Sequence, residues 1–265
     1  MRIIALPLRL NASKQPTFYS YRVTAPPPIR KAAPPRTKFT RWMPEEGLAK
    51  WASHKATRTW ANFGTAEKGS LKLRAFQLGE RLMDRLDFEE SNLKTIDLSL
   101  APPLKIDGKT VQAGRDTQVP LVYPPVALSG PHALDHLRAL VKERIPLHNR
   151  GVWTWIFFAV LSAPLKLIPI IPNFPFYFCA WRTWSHWKAM RAARYIQGLL
   201  DSNRVVPEPF KALDAVYSGE EGRVLTRGTL ERAMGVLSMA SEERKELLRA
   251  REQVLSRLTN QQNKQ

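Results

Sequence analysis

The sequence predicts a mostly α-helical membrane protein with a Pro-broken transmembrane or re-entrant segment, a small β-hairpin element and C-terminal amphipathic helices. Three observations carry this. Leu and Ala are plentiful, whereas long β-branched runs are scarce, which favours helix over sheet. The 31 residues from Gly151 to Trp181 contain a single charge, Lys166, and are interrupted by prolines. From Leu225 to Leu258, apolar residues recur at helical spacing.

Composition sets the outer bounds. The chain has 265 residues and a formal charge of +18, so it seeks anionic partners: nucleic acid, anionic lipid heads or an acidic protein. It has one cysteine, Cys179, so no intrachain disulfide can form. The organisation reads as four segments: a basic Pro-rich arm over 1–44, a helical region with a short β-hairpin over 45–150, the Pro-broken membrane segment with a basic aromatic helix over 151–200, and C-terminal helices over 201–265.

Residues 1–44 hold nine Lys or Arg and no acid; the first acid is Glu45. Basic, acid-free and hydroxyl-bearing is the bias of a mitochondrial presequence or, without an address, of a disordered basic arm. The head MRIIALPLRLNASK reads as a short amphipathic helix interrupted by Pro7. The stretch APPPIRKAAPPR reads as an extended polyproline linker.

In the second segment, Trp51 and Trp60 fall near one helical face. Leu71, Leu78, Leu82 and Leu86 line one side of a further helix, whose stripe would pack on a partner. Gly108-Lys109-Thr110 ends like a phosphate-binding loop, but the first Gly of that motif is replaced by Pro103. Asp107-Gly108 reads instead as a tight turn between short strands, with VPLVYPP as the second strand. A helix then starts at Ser129-Gly-Pro131 and ends at Pro146.

The third segment is the most informative. A straight helix over Gly151–Trp181 would run about 46 Å, longer than the hydrocarbon core of about 30 Å. Pro164, Pro169, Pro172 and Pro175 forbid a regular helix across their stretch, because each lacks a backbone donor and clashes with the preceding turn. Two geometries stay open, a single broken span or a hairpin with arms Val152–Leu161 and Phe174–Trp181. Basic clusters flank both ends, and a hairpin would keep both on one side, as the charge rule prefers. Trp181, Trp184 and Trp187 suit headgroup depth; Arg182, His186, Lys188, Arg191 and Arg194 suit anionic lipid. In the fourth segment, Leu225–Met239 and Ser241–Leu258 read as two helices, the second capped by Ser241.

The run APLKLIPIIPNFPFYFCAWRTWSHWKAM resembles the signature of the fungal mitochondrial potassium–proton exchange-related family. Its motif positions here are Pro169, Pro172, Asn173, Pro175, Phe176 and Tyr177, followed by Arg182, Ser185 and His186. GERLMDRLDFEESNLKTI is similar to that family's central helix, VPLVYPP to its short strand and LLRAREQ to its C-terminal helix. The resemblance implies a mitochondrial inner-membrane protein tied to potassium–proton exchange and to matrix potassium and volume homeostasis.

Gly151–Trp181 has no carboxylate to carry a proton across, so a subunit or regulator is expected rather than the exchanger itself. Partners would be anionic inner-membrane lipids and subunits of an exchange complex. The charge also leaves open a membrane-bound assembly factor or a nucleic-acid or mitoribosome-associated binder. No cofactor fingerprint or nucleophile elbow occurs, so no cofactor and no enzyme activity are expected. His132 and His136, four apart on a helix, read as surface or core histidines rather than metal ligands.

Overall fold

In a computed structural model, the described residues are 1–9, 19–24, 48–84, 86–94, 96, 118–164, 174–218 and 224–263. The chain divides into two units. One combines Met1–Pro27 with Asp87–Gln265; the other is Pro28–Leu86.

The first unit is built on a four-stranded mixed sheet of order β2-β1-β3-β4. Strand β1 (Arg2–Pro7) pairs antiparallel with β2 (Tyr19–Thr24), Arg2 opposite Thr24 and Pro7 opposite Tyr19. On its other side β1 runs parallel to β3 (Val119–Tyr123), Ile3 opposite Leu121; β3 in turn runs parallel to β4 (Val205–Pro209), Val119 opposite Val205. Among the described residues β4 is an edge strand, where the missing backbone donors of Pro207 and Pro209 are tolerated.

Helices cover both faces of the sheet. Ile3, Ala5 and Leu121 point to a core shared with Leu137 and Val141 of α4 (Gly130–Ser162) and with Ala193, Ile196 and Leu199 of α5 (Phe174–Asp201). Ile4, Leu6 and Val122 point the other way. They meet Tyr217 of α6 (Asp214–Tyr217), Leu230 and Met234 of α7 (Arg227–Val236), and Leu247 and Val254 of α8 (Ser241–Gln262). Side chains alternate across a strand, so one six-residue segment feeds both cores. The short helix α3 (Phe88–Lys94) sends Phe88 to the second core and Leu93 to the first.

The second unit carries α1 (Leu48–Gly64) and α2 (Leu71–Asp84). Trp60 packs on Phe76 with ring centroids 5.2 Å apart, and its Nε1 donates to Glu80 at 3.0 Å. Gly79 permits this approach, because a Cβ there would sit 2.3 Å from the Trp60 ring. Leu71 and Leu78, expected in a packed stripe, are exposed.

Several expectations need correction. The membrane-protein reading of the fold is overturned: among the described residues no helix is long and apolar enough to cross a membrane. The apolar block is shared between the end of α4 and the start of α5. Its α4 portion, Gly151–Ser162, is 12 residues long. That is about 18 Å of helix, against a hydrocarbon core of about 30 Å. The turns before it carry Lys142, Glu143, Arg144 and Arg150.

The small β-hairpin is also displaced. Among the described residues the antiparallel pair of strands is β1 with β2, at the start of the chain, whereas β3 has only parallel neighbours. The Asp107-Gly108 turn lies outside the described residues. The head is a buried strand rather than an amphipathic helix, because a strand covered on both faces needs the continuous apolar run IIAL. Pro146 does not end its helix; α4 continues through it. Its ring is exposed, so the carbonyl it leaves unpaired can be hydrated. The cap of α8 is Ala240, whose backbone N–H donates to Glu243 at 3.1 Å.

Candidate functional site

Three helices of the first unit meet at a buried polar cluster. On α5, Arg182, Ser185 and His186 share one face, since residues three and four apart on a helix are neighbours. That face is turned inward, and all three are buried. Opposite them, α3 supplies Glu90 and α4 supplies His148, both also buried.

Glu90 is fully engaged. Arg182 grips it with two bonds, Nη1 to Oε1 at 2.7 Å and Nη2 to Oε2 at 3.3 Å. Ser185 Oγ donates to the same Oε1 at 2.8 Å, and Lys94 Nζ stands 4.0 Å away. Burial pushes the Glu90 carboxyl up, but the hydrogen bond and charge of Arg182, with help from Ser185 and His186, hold it below its usual range. It is therefore an anion in the folded protein. Beside it, Arg144 of α4 pairs with Asp87 at 2.9 Å and also with Glu89, and Arg257 of α8 reaches Asp87 at 2.8 Å.

The hydrogen-bond roles of the two histidines follow from Arg182. Its Nη2 lies 2.8 Å from His186 Nε2. A guanidinium has only donors, so that nitrogen must accept. The His186 proton then sits on Nδ1, which faces His148 Nδ1 at 3.1 Å and donates to it. The His148 proton is left on Nε2, a buried atom with no hydrogen-bond partner. Charging His186 would put a proton between its Nε2 and the Arg182 donor. Gly151 makes room for this ring, since a Cβ there would lie 2.7 Å from His186 Nδ1.

The ligand atoms of Glu90, His148 and His186 lie within 4.8 Å of one another, close enough to raise the question of a metal ion. The donor set fits poorly. A metal on His186 Nδ1 would force the proton to Nε2, against the Arg182 donor 2.8 Å away. Glu90 already serves Arg182 and Ser185. The cluster is a directed hydrogen-bond chain, Arg182 to His186 to His148, anchored on a paired carboxylate.

Its electrostatics predict a pH response. Burial pushes His148 down to about 4; Glu90 opposes this, while His186, Arg144 and Arg182 add to it. Burial also lowers His186, opposed by Glu90 and aided by Arg182 and Lys94. Burial and His132 push His136 down to about 4; its Nδ1 meets Tyr21 Oη at 2.8 Å. These groups bind protons more readily when unfolded, where the usual value is 6.5. The unfolded state then holds more protons between about pH 6.5 and about pH 4, so stability falls as pH drops through that window. Urea unfolding midpoints should decline across it, and Glu90 should add a further loss as it protonates at lower pH. A flat profile would contradict neutral, buried imidazoles.

The structure divides the residues singled out in the sequence. Pro169, Pro172 and Asn173 lie outside the described residues. Pro164 is exposed just beyond α4, Pro175 is exposed at the second position of α5, and Tyr177 is exposed one turn from the start of α5. Trp184, Lys188, Arg191 and Arg194 are exposed along α5, with Trp181 and Trp187 half-buried. Trp184 stacks on Trp187 at 4.8 Å, and Arg191 lies 4.8 Å over the Trp187 ring. Arg182 and His186, grouped with these as surface residues, are instead inside with Glu90. Glu90 and His148 carried no sequence signal of their role; the Arg182–Ser185–His186 spacing was the visible trace.

A family model described as mitochondrial K+-H+ exchange-related matches residues 2–200, a span that contains the whole cluster. A Saccharomyces cerevisiae protein described as uncharacterized is 26% identical over 171 residues, covering 58% of this chain and 53% of that protein. The chain thus spans about half the length of the curated relative it matches. No solved structure matches.

Proposed function

Because the chain belongs to the mitochondrial K+-H+ exchange-related family, we propose that it works at the inner membrane as a subunit or regulator of the exchange system, helping to set matrix potassium and volume. The observation that supports a subunit or regulator over a carrier is the state of Glu90. It is the only buried carboxylate among the described residues. A carrier that swaps a cation for a proton needs a carboxylate free to take either. Glu90 instead holds a guanidinium in two bonds, with a lysine at 4.0 Å. Potassium would have to displace a tethered cation.

The test is swelling of isolated mitochondria in potassium acetate. Acetic acid enters uncharged and delivers a proton, so net salt uptake requires K+–H+ exchange. Mitochondria lacking this chain should swell slowly and recover when it is restored. Unimpaired swelling would remove the exchange role. Potassium-driven proton flux through the purified chain alone in vesicles would make it the carrier and overturn the subunit reading.

A further inference from the structure

Helices α4 and α5 end in a hairpin whose distal part has unusual surface chemistry. On α4, Trp153, Phe157, Val160 and Leu161 are each about two-thirds exposed, at 67%, 65%, 68% and 64%. Ile156 and Phe158 are exposed as well, so the apolar surface wraps around the helix rather than following one stripe. Soluble surfaces rarely show contiguous apolar patches of this kind without a partner. On α5 the exposed face changes character along its length. Tyr177 and Trp184 lie at the distal end, and Lys188, Arg191 and Arg194 follow toward the sheet. Steps of seven, four, three and three residues keep these on neighbouring turns of one side. No acid occurs between Glu143 and Asp201, so the carboxylates of α4 and α5 all lie outside the stretch from the apolar end to the basic collar.

An apolar, aromatic end bounded by cations is complementary to a bilayer surface, where hydrocarbon lies beneath a layer of phosphates. We propose that this end of the α4–α5 hairpin docks on an anionic lipid surface, the rings of Trp153, Phe157, Tyr177 and Trp184 entering the headgroup boundary and Lys188, Arg191 and Arg194 meeting the phosphates. The contact is peripheral. Rings at a bilayer boundary sit about 5–10 Å deep, which the 12-residue apolar end of α4 can supply without crossing. A basic partner protein would be repelled by the collar. An acidic one would satisfy the cations but not an apolar surface facing several directions.

The test is flotation of the full chain with phosphatidylcholine vesicles, with and without phosphatidylglycerol. Wild type should float with the anionic vesicles and release in high salt. Lys188→Gln, Arg191→Gln and Arg194→Gln together should weaken binding by more than tenfold, at roughly fivefold per charge. Trp153→Ser with Phe157→Ser should abolish insertion, seen as loss of the tryptophan blue shift on vesicle addition. These side chains are exposed, so unfolding midpoints should hold and misfolding would be detected there.

Failure to bind anionic vesicles, or binding indifferent to both sets of substitutions, would overturn the proposal. So would salt-sensitive capture of single-stranded RNA that outcompetes vesicles and ignores the aromatic pair. The docking surface and the exchange role separate cleanly. A docking-deficient chain that still restores potassium-acetate swelling leaves the exchange role standing without this contact.

Discussion

Arg182→Met is expected to destabilise the protein by about 3–5 kcal/mol, because it leaves a buried carboxylate without its counter-ion. Both side chains are nearly out of solvent, at 10% and 6% exposure, so water cannot replace the guanidinium. The loss is not the value of the ion pair. It is the cost of an uncompensated charge, joined by His186 Nε2 losing its donor. The double variant Arg182→Met with Glu90→Leu separates these. Removing both charges should recover most of the stability, since a buried pair exchanged for apolar groups is often near neutral. The two substitutions should therefore couple by well over about 1 kcal/mol in a double-mutant cycle. Urea unfolding of the four proteins measures it. A cost below about 1 kcal/mol for Arg182→Met, or simple additivity, would mean that Glu90 is hydrated and the cluster loose.

Removal of residues 1–8 should abolish cooperative folding of the first unit. Strand β1 lies between β2 and β3, so its loss breaks two ladders at once. It also takes Ile3 and Ala5 from one core and Ile4, Leu6 and Leu8 from the other. Burying an Ile or Leu side chain contributes about 1.5–3 kcal/mol, so the four large residues alone supply about 6–12 kcal/mol. A whole domain is stable by only about 5–15 kcal/mol. The bond from Tyr217 Oη to the Pro7 carbonyl and that from the Leu225 N–H to the Leu8 carbonyl would go too. Thermal melts followed by circular dichroism should lose their sigmoid. Leu6→Ala should keep a transition while costing about 2–5 kcal/mol. A truncated chain with an unchanged midpoint would make the segment an appendage, as the presequence reading requires.

These two predictions mark where sequence reasoning succeeded and where it could not reach. The sequence placed Arg182, Ser185 and His186 in a basic helix, and on any helix a spacing of three and four residues puts them on one face, because 3.6 residues per turn is a local rule. Which way that face points is not local. Basic and aromatic neighbours made the surface the natural assignment, and Trp184, Lys188, Arg191 and Arg194 do lie there. Arg182 lies inside because Glu90, 92 residues earlier in the chain, pairs with it, and His186 is held there by Arg182 and His148. A charge can be buried only where its partner is, and pairing across that separation leaves no mark in a periodicity.

The first strand shows the same limit from the other side. An acid-free head with Arg2 and Arg9 has the composition of an address, and composition cannot tell an address from a strand buried on both faces. Hydropathy likewise marked Gly151–Trp181 as one block, yet the chain divides it between two helices that continue into the core packed on the sheet.

By itself the sequence determined the helical majority, the helices after residue 225, the break between two apolar arms and the resemblance to the exchange-related family. Each rests on neighbours within a few turns of chain or on a contiguous motif. Only the tertiary structure decided that the head is the inner strand of a mixed sheet, that Glu90 is neutralised by Arg182, and that His148 and His186 face each other between α4 and α5. Those outcomes depend on desolvation and on long-range pairing, which exist only once the chain has closed on itself.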